Sequence, residues 1–100
     1  MKILSGKFKN QTIFFSKKFK YRPTTSIVRK SLFDALNSLE NKDFLDMYAG
    51  SGMIGFEASS RGADNVTFIE MNKQHMMQIR KSAESIDFNN FNFLVRDSLR

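Results

Sequence analysis

The apolar positions of the chain follow two different spacings, which predicts helices and strands in alternation. Spacings of three and four residues predict two helices, from Pro23 to Leu39 and over 73–86. A further helix is predicted from the end of a glycine-rich stretch at 49–55 to Arg61, because Gly62 is a typical helix stop. Short β-branched and aromatic runs predict strands at 44–48, 66–69 and 91–95. The order β-α-β-α-β predicts an α/β fold with three parallel strands and helical crossovers.

Two of the predicted helices carry an apolar face that we expect to be buried. In the first helix the face comprises Val28, Leu32, Ala35, Leu36 and Leu39, and in the last helix Met76, Ile79, Ala83 and Ile86. Before the first helix, residues 2–15 predict a β-hairpin around Gly6 and Asn10–Gln11.

Charge is distributed unevenly along the 100 residues. The net charge is +6, yet residues 1–30 hold nine of the 16 basic side chains and no acid. This asymmetry favours a polyanionic partner such as RNA. Aromatic residues between the cations either stack on unpaired bases or pack on the protein itself. The cations that we expect to contact phosphates are Lys7, Lys9, Lys17, Lys18 and Lys20.

The composition excludes several kinds of site. The chain has no Cys and a single His, which excludes disulfides, Cys-bound zinc, thiol nucleophiles and a multi-His metal site. We therefore predict no metal site and interpret His75 as a surface residue. No apolar run is long enough to span a membrane and no secretory signal precedes the fold, so we expect a cytoplasmic protein without a membrane partner.

The stretch from Gly50 to Gly55 carries the most chemical information. It fits G-x-G-x-x-G between a predicted strand and a predicted helix, the arrangement of a nucleotide-binding turn. Glu70 ends the next strand, 20 residues after Gly50, where a carboxylate can accept the ribose hydroxyls of an adenosine. The pattern predicts a cofactor that contains adenosine.

Asp46, four residues before Gly50, decides between cofactors. A pyrophosphate at this turn would be repelled by the acid, whereas the ammonium and sulfonium groups of S-adenosylmethionine would be attracted. We therefore expect S-adenosylmethionine. Asp46 can also cap the backbone N–H groups of the loop, and the two roles are compatible.

The chain resembles the RsmD-type methyltransferases, which modify guanine N2 in small-subunit ribosomal RNA. The resemblance rests on residues 3–8, on Arg22-Pro23-Thr24-Thr25 with Val28-Arg29 and Ser31-Leu32-Phe33, on the run 44–58 with 60–63, and on 66–70 with Asn72. It implies a Rossmann-like domain, ribosomal RNA or an assembling small subunit as partner, and Asp97 as an acceptor for the adenine amino group. The expected cofactor-binding residues are Asp46, Tyr48, Ala49, Gly50, Ser51, Gly52, Glu70, Asp97, Arg22 and Thr24. Arg22 would face either the methionine carboxylate or an RNA phosphate.

Two departures from this family limit what the resemblance implies. Lys30 stands where the family usually has an acid, and the catalytic Pro-Pro-aromatic turn is absent because Pro23 is the only proline. We therefore predict no catalytic residue in this chain and an inactive, truncated N-terminal portion. The predicted domains are a basic hairpin arm at 1–22 and an incomplete methyltransferase domain at 23–100. A full-length enzyme would be a monomer, whereas the portion alone would be prone to self-association.

Three alternatives remain open from the sequence. A DNA adenine-N6 methylase uses a related turn for an amino group. A nicotinamide oxidoreductase shares the glycine loop but is disfavoured by Asp46. A non-catalytic RNA-binding remnant is consistent with a complete basic segment that lacks the catalytic turn.

Overall fold

Six regular elements follow one another in the predicted order. The computed structural model describes residues 2–13, 26–36, 38–47 and 49–96. The helices are α1 (Ser26–Leu36), α2 (Met53–Ser60) and α3 (Lys73–Glu84), and the strands are β1 (Asp43–Met47), β2 (Asn65–Glu70) and β3 (Phe91–Val95). The predicted α/β class, with three parallel strands and helical crossovers, is confirmed.

The three strands form one parallel sheet in the order β1-β2-β3. In its register Met47 pairs with Ile69 and Glu70 pairs with Val95, so the carboxyl ends of all three strands meet at one edge. Crossover helices of a parallel sheet begin at this edge, which is where open α/β sheets bind their ligands. The described sheet therefore has an outer strand on each side, β1 and β3.

The core lies between the sheet and the two crossover helices. Phe56 of α2 and Phe68 of β2 are fully buried, with ring centroids 4.9 Å apart. Gly55 allows α2 to approach β2 closely, because a Cβ at this position would collide with the Phe68 ring. The last glycine of the motif therefore serves helix–strand packing.

Residues 2–13 of the basic N-terminal segment pack on the same core rather than standing apart from it. Ile3, Phe8 and Ile13 are buried within the core cluster. The predicted hairpin has one antiparallel bridge, between Lys2 and Thr12, within residues 2–13. The segment is instead bonded to the end of α2, where the Lys7 N–H donates to the Ser60 carbonyl at 2.8 Å. The predicted boundary at 22–23 lies outside the described residues.

The predicted apolar face of α1 is wrong. Val28, Leu32 and Leu36 are 56%, 40% and 44% exposed, and α1 buries Arg29 and Phe33 instead. The Phe33 ring lies 5.9 Å from the Phe44 ring, and Arg29 lies against a buried carboxylate of α2. Apolar periodicity predicts that a helix forms but not which of its sides is buried. In α1 the buried side is the one on which Arg29 pairs with Glu57. Leu39 is buried, but it follows the end of the helix.

The described residues lack both a membrane-spanning helix and a cluster of metal-binding side chains. None of the helices in this part of the chain has the length and apolar character needed to cross a bilayer. Nor do these residues bring three or more metal-binding side chains together.

Candidate cofactor site

The glycine loop follows β1 and turns sharply into α2. Gly50 and Gly52 have φ angles of 58° and 82°, in the left-handed region that favours glycine. The Gly52 N–H closes the turn on the Ala49 carbonyl at 2.8 Å. A Cβ on Gly52 would lie 2.8 Å from the Phe56 ring, so both conformation and space require glycine there.

Asp46 lies beneath this loop on β1. Its side chain is buried, and Oδ2 accepts the Gly55 N–H at 3.0 Å. Burial raises the pKa of the Asp46 carboxyl to about 7, and the negative charge of Glu70 adds to the rise, while the Gly55 N–H opposes it. The predicted capping role of Asp46 is confirmed, since this residue holds the first turn of α2.

Glu70 holds the loop from the opposite side. Its Oε1 accepts the Gly50 N–H at 2.9 Å and its Oε2 accepts the Asn72 N–H at 2.7 Å. Asn72 in turn caps α3, where its side-chain oxygen accepts the N–H groups of Gln74 and His75. The buried Glu70 therefore connects the glycine loop to the start of α3.

Sequence reasoning missed the surroundings of His75. Its side chain is only 12% exposed, and Nδ1 lies 3.8 Å from Glu70 Oε2, so the interpretation as a surface residue is wrong. A position three residues into a helix that follows a site carboxylate was the available signal. It was obscured by the polar and Met side chains around it.

The electrostatics of the site are negative. Among the described residues, no Lys or Arg nitrogen lies within 4 Å of a carboxylate oxygen of Asp46 or Glu70. The N–H groups of Gly50, Gly52 and Gly55 are all bonded to acceptors of the protein. An anion would meet the Glu70 carboxylate, the partly ionised Asp46 carboxyl and no free amide of these glycines. A ligand with positive charge and hydroxyl donors fits this arrangement, and a pyrophosphate does not.

The structure brings together part of the predicted site. Asp46, Gly50, Ser51, Gly52 and Glu70 gather at the carboxyl ends of β1 and β2, with Ala49 half-buried at the start of the loop. The other predicted cofactor residues lie outside the described residues; these are Arg22, Thr24, Tyr48 and Asp97. The same holds for Lys17, Lys18 and Lys20.

Lys7 and Lys9 lie at the other end of α2. Both side chains are exposed, and the Lys7 backbone is bonded to Ser60, the last residue of that helix. A helix of eight residues spans about 12 Å. These two cations are therefore separated from the glycine loop by roughly the length of α2.

A buried ion cluster that the sequence did not predict fixes α2 in place. Glu57 is fully buried; its Oε1 accepts the Leu4 N–H at 2.9 Å and its Oε2 accepts the Arg61 Nε–H at 3.0 Å. Arg29 Nε lies 3.4 Å from Glu57 Oε1, and its Nη2 donates to the Lys2 carbonyl at 2.8 Å. The available signal was a lone acid between Phe56 and Ala58 in a helix with no other charge.

Fold and sequence together define the class of this protein. A glycine loop between two carboxylates, at the carboxyl edge of a parallel sheet, is the arrangement of a Rossmann-like domain, and the similar solved structures include methyltransferases. The model of the family described as Conserved hypothetical protein 95 matches residues 1–100. The chain belongs to this family, and its predicted kinship with the RsmD-type methyltransferases is confirmed.

Two relatives illustrate the sequence similarity. An uncharacterized methylase of Rickettsia prowazekii is 36% identical, over 99% of this chain and 46% of its own length. The ribosomal RNA small subunit methyltransferase D of Buchnera aphidicola from Acyrthosiphon pisum is 34% identical, over 97% of this chain and 51% of its own length. The chain thus spans about half the length of the curated relatives that it matches.

Solved structures agree with this assignment. An Escherichia coli structure, provisionally named a methyltransferase, superimposes with a TM-score of 0.87 at 27% identity, over 99% of this chain and 53% of its own. A Thermus thermophilus protein described as hypothetical superimposes with a TM-score of 0.84 at 24% identity, over 99% of this chain and 57% of its own, and supports the fold alone.

Proposed function

We propose that this chain carries the S-adenosylmethionine-binding half of an RNA methyltransferase that acts on guanine N2 of small-subunit ribosomal RNA. The observation that carries the proposal is the pairing of Asp46 and Glu70 around a loop whose glycine N–H groups are already bonded. A cationic nucleoside fits this site, and the names of the relatives supply RNA methylation as the reaction class.

Each site residue has a distinct role in this proposal. Asp46 faces the positive charge of the methionine part, which offsets the cost of its buried carboxylate. Glu70 accepts the ribose hydroxyls with the lone pairs that its two backbone contacts leave available. Arg22, Thr24, Tyr48 and Asp97 complete the proposed contacts on the strength of the family resemblance. When bound, the cofactor supplies an electrophilic methyl group, and the protein aligns it with the accepting nitrogen.

We also propose that residues 1–100 by themselves transfer no methyl group. The Pro-Pro-aromatic turn that holds the target amine in the family is absent from this sequence, since Pro23 is its only proline. Binding and chemistry are then separate properties, and the proposal about the cofactor is tested by binding.

Replacing Glu70 with Ala should weaken the binding of S-adenosylmethionine by about 1.5–3 kcal/mol, the range for hydrogen bonds to a charged group. Calorimetric titration measures this, and Glu70→Gln, which keeps an acceptor for the Gly50 N–H, separates ligand contacts from loop support. Glu40→Ala, on an exposed acid away from the loop, is the control. Unchanged affinity in both Glu70 variants would remove Glu70 from the cofactor site.

For the RNA, we propose that the basic segment contacts phosphates through Lys7, Lys9, Lys17, Lys18 and Lys20. Affinity for RNA should then fall with salt by roughly 0.7–0.9 log unit per contact for each log unit of salt. Replacing Lys7 and Lys9 by Gln should reduce the slope by about two contacts while cofactor binding stays unchanged. Fluorescence anisotropy at several salt concentrations measures the slope. A slope equal to that of the wild type would show that these two lysines do not contact phosphates.

A further inference from the structure

A groove lies between the last turns of α3 and the first half of β3, away from the glycine loop. It is an open groove with a volume of about 430 Å³, within the size range of small-ligand sites. Its walls include Arg80, Glu84, Phe88, Asn89, Phe91 and Phe93. We call it the α3–β3 groove.

The groove lies at an outer strand of the described sheet. That strand is β3, which pairs with β2 only. Doubly wound sheets of this order extend from the first strand, on the side opposite β3. Further strands of the same fold would therefore lie beside β1 and not beside the α3–β3 groove.

The groove combines an aromatic wall with an available cation. The Phe88 and Phe91 ring centroids lie 4.6 Å apart, and all three Phe side chains of the wall are half-buried. The Arg80 guanidinium stacks over the Phe93 ring at 4.7 Å. In the described part of the chain no carboxylate is within ion-pairing distance of Arg80, so its donors can serve a ligand.

The groove borders the described N-terminal residues at Phe88. Phe88 meets Phe8 edge to face at 6.5 Å, and Lys7 Nζ lies 5.6 Å from the centre of the Phe8 ring. The exposed Lys7 is therefore connected to the aromatic wall through Phe8, and Lys9 follows Phe8 in the sequence. Stacking surfaces flanked by cations are the common design of proteins that bind single-stranded nucleic acid.

We propose that the α3–β3 groove binds one unpaired nucleotide of an RNA, with the base against the aromatic wall and its phosphate on Arg80. The proposal rests on the proposed RNA substrate and adds a site for it. Glu84 accepts a hydrogen bond from an exocyclic amino group, which favours cytosine over uracil. The groove lies at the amino end of β3, so this nucleotide is a different one from the base at the cofactor.

Binding of short labelled oligocytidylate and oligouridylate to the chain tests the proposal. Loss of one stacked base lowers affinity about tenfold, so Phe88→Ala should weaken the binding of oligocytidylate by roughly that factor. Arg80→Gln, which removes the proposed phosphate contact, should weaken binding to a similar extent. Glu84→Gln should remove the preference for oligocytidylate over oligouridylate. Lys42→Gln, the loss of an exposed cation beside β1 at the far edge of the sheet, should change affinity less than twofold.

The outcomes separate this proposal from the proposed function. If Arg80→Gln lowers the affinity for oligocytidylate no more than Lys42→Gln does, the groove is not a nucleotide site. The same conclusion holds if duplex RNA binds as tightly as the single strand. If replacing Lys7 and Lys9 still weakens RNA binding in that case, the proposed RNA-binding function stands without the groove. Circular dichroism of Phe88→Ala checks folding, and Arg80→Gln, a surface change, carries the conclusion if Phe88→Ala unfolds.

Discussion

Replacing Glu57 with Ala should lower the free energy of unfolding by about 3–5 kcal/mol, the cost of leaving a buried charge without its partner. Glu57 is fully buried and interacts with two guanidinium groups, those of Arg29 and Arg61. It also accepts the backbone N–H groups of Leu4 and Ser5. Its removal would weaken the attachment of both the N-terminal residues and α1 to α2. Urea denaturation followed by circular dichroism measures the loss.

Asp34→Ala provides the matched control for this prediction. Asp34 also pairs with Arg61, at 3.7 Å, but its side chain is 55% exposed. A surface ion pair contributes little to stability because solvent screens it, so this variant should remain close to the wild type. Glu57→Gln keeps an oxygen that can accept one N–H, so its free energy of unfolding should lie between those of Glu57→Ala and Asp34→Ala. Equal losses in Glu57→Ala and Asp34→Ala would contradict the assignment of the cluster as the link between these elements.

The second large effect concerns Asp46 and pH. Its pKa is raised to about 7 in the folded protein, by burial above all, whereas an unfolded Asp titrates near 3.9. The folded state then binds more protons than the unfolded state between these two values. Stability is full below about pH 4 for this group and is lost as the pH rises through 7, by about 4 kcal/mol at most.

Asp46→Asn should abolish this loss, because an amide oxygen can still accept the Gly55 N–H and carries no charge. We expect the variant to exceed the wild type in stability at pH 8 and to approach it at pH 4, as measured by urea midpoints across that range. Asp43→Asn, the same change at the exposed start of β1, should leave the pH dependence in place. Parallel pH curves for Asp46→Asn and the wild type would show that Asp46 does not titrate in this way.

The strands and crossover helices could be predicted because their signals are local. Alternation of apolar runs with helical spacings located β1, β2, β3, α2 and α3 within a few residues of their observed bounds. The orientation of α1 could not be predicted in this way. Its buried side depends on Arg29 meeting Glu57, and these residues are 28 positions apart in sequence. The aliphatic side chains of α1 are visible in the sequence, but Arg29 faces Glu57 in the fold and these side chains are exposed.

The two acids of the site were predictable because their spacing from the glycines follows from strand length and loop geometry. Asp46 and Glu70 both lie where the motif required them. The sequence indicated that Asp46 can cap an N–H group of the loop, but not that Glu70 accepts the Gly50 N–H. This second bond forms because two neighbouring strands end at one edge of the sheet. The same juxtaposition brings His75 to Glu70, and the signal for this contact in the sequence was the position of His75 early in the helix that follows Glu70.

The central claim, that the loop between Asp46 and Glu70 binds S-adenosylmethionine, is tested most directly by amide NMR spectra of the ¹⁵N-labelled chain. Titration to millimolar ligand detects even weak binding, residue by residue. The account predicts that S-adenosylmethionine shifts the amide signals of Gly50, Gly52 and Gly55, and that NADH leaves them unchanged. Shifts of these signals with NADH, or none with S-adenosylmethionine, would contradict it.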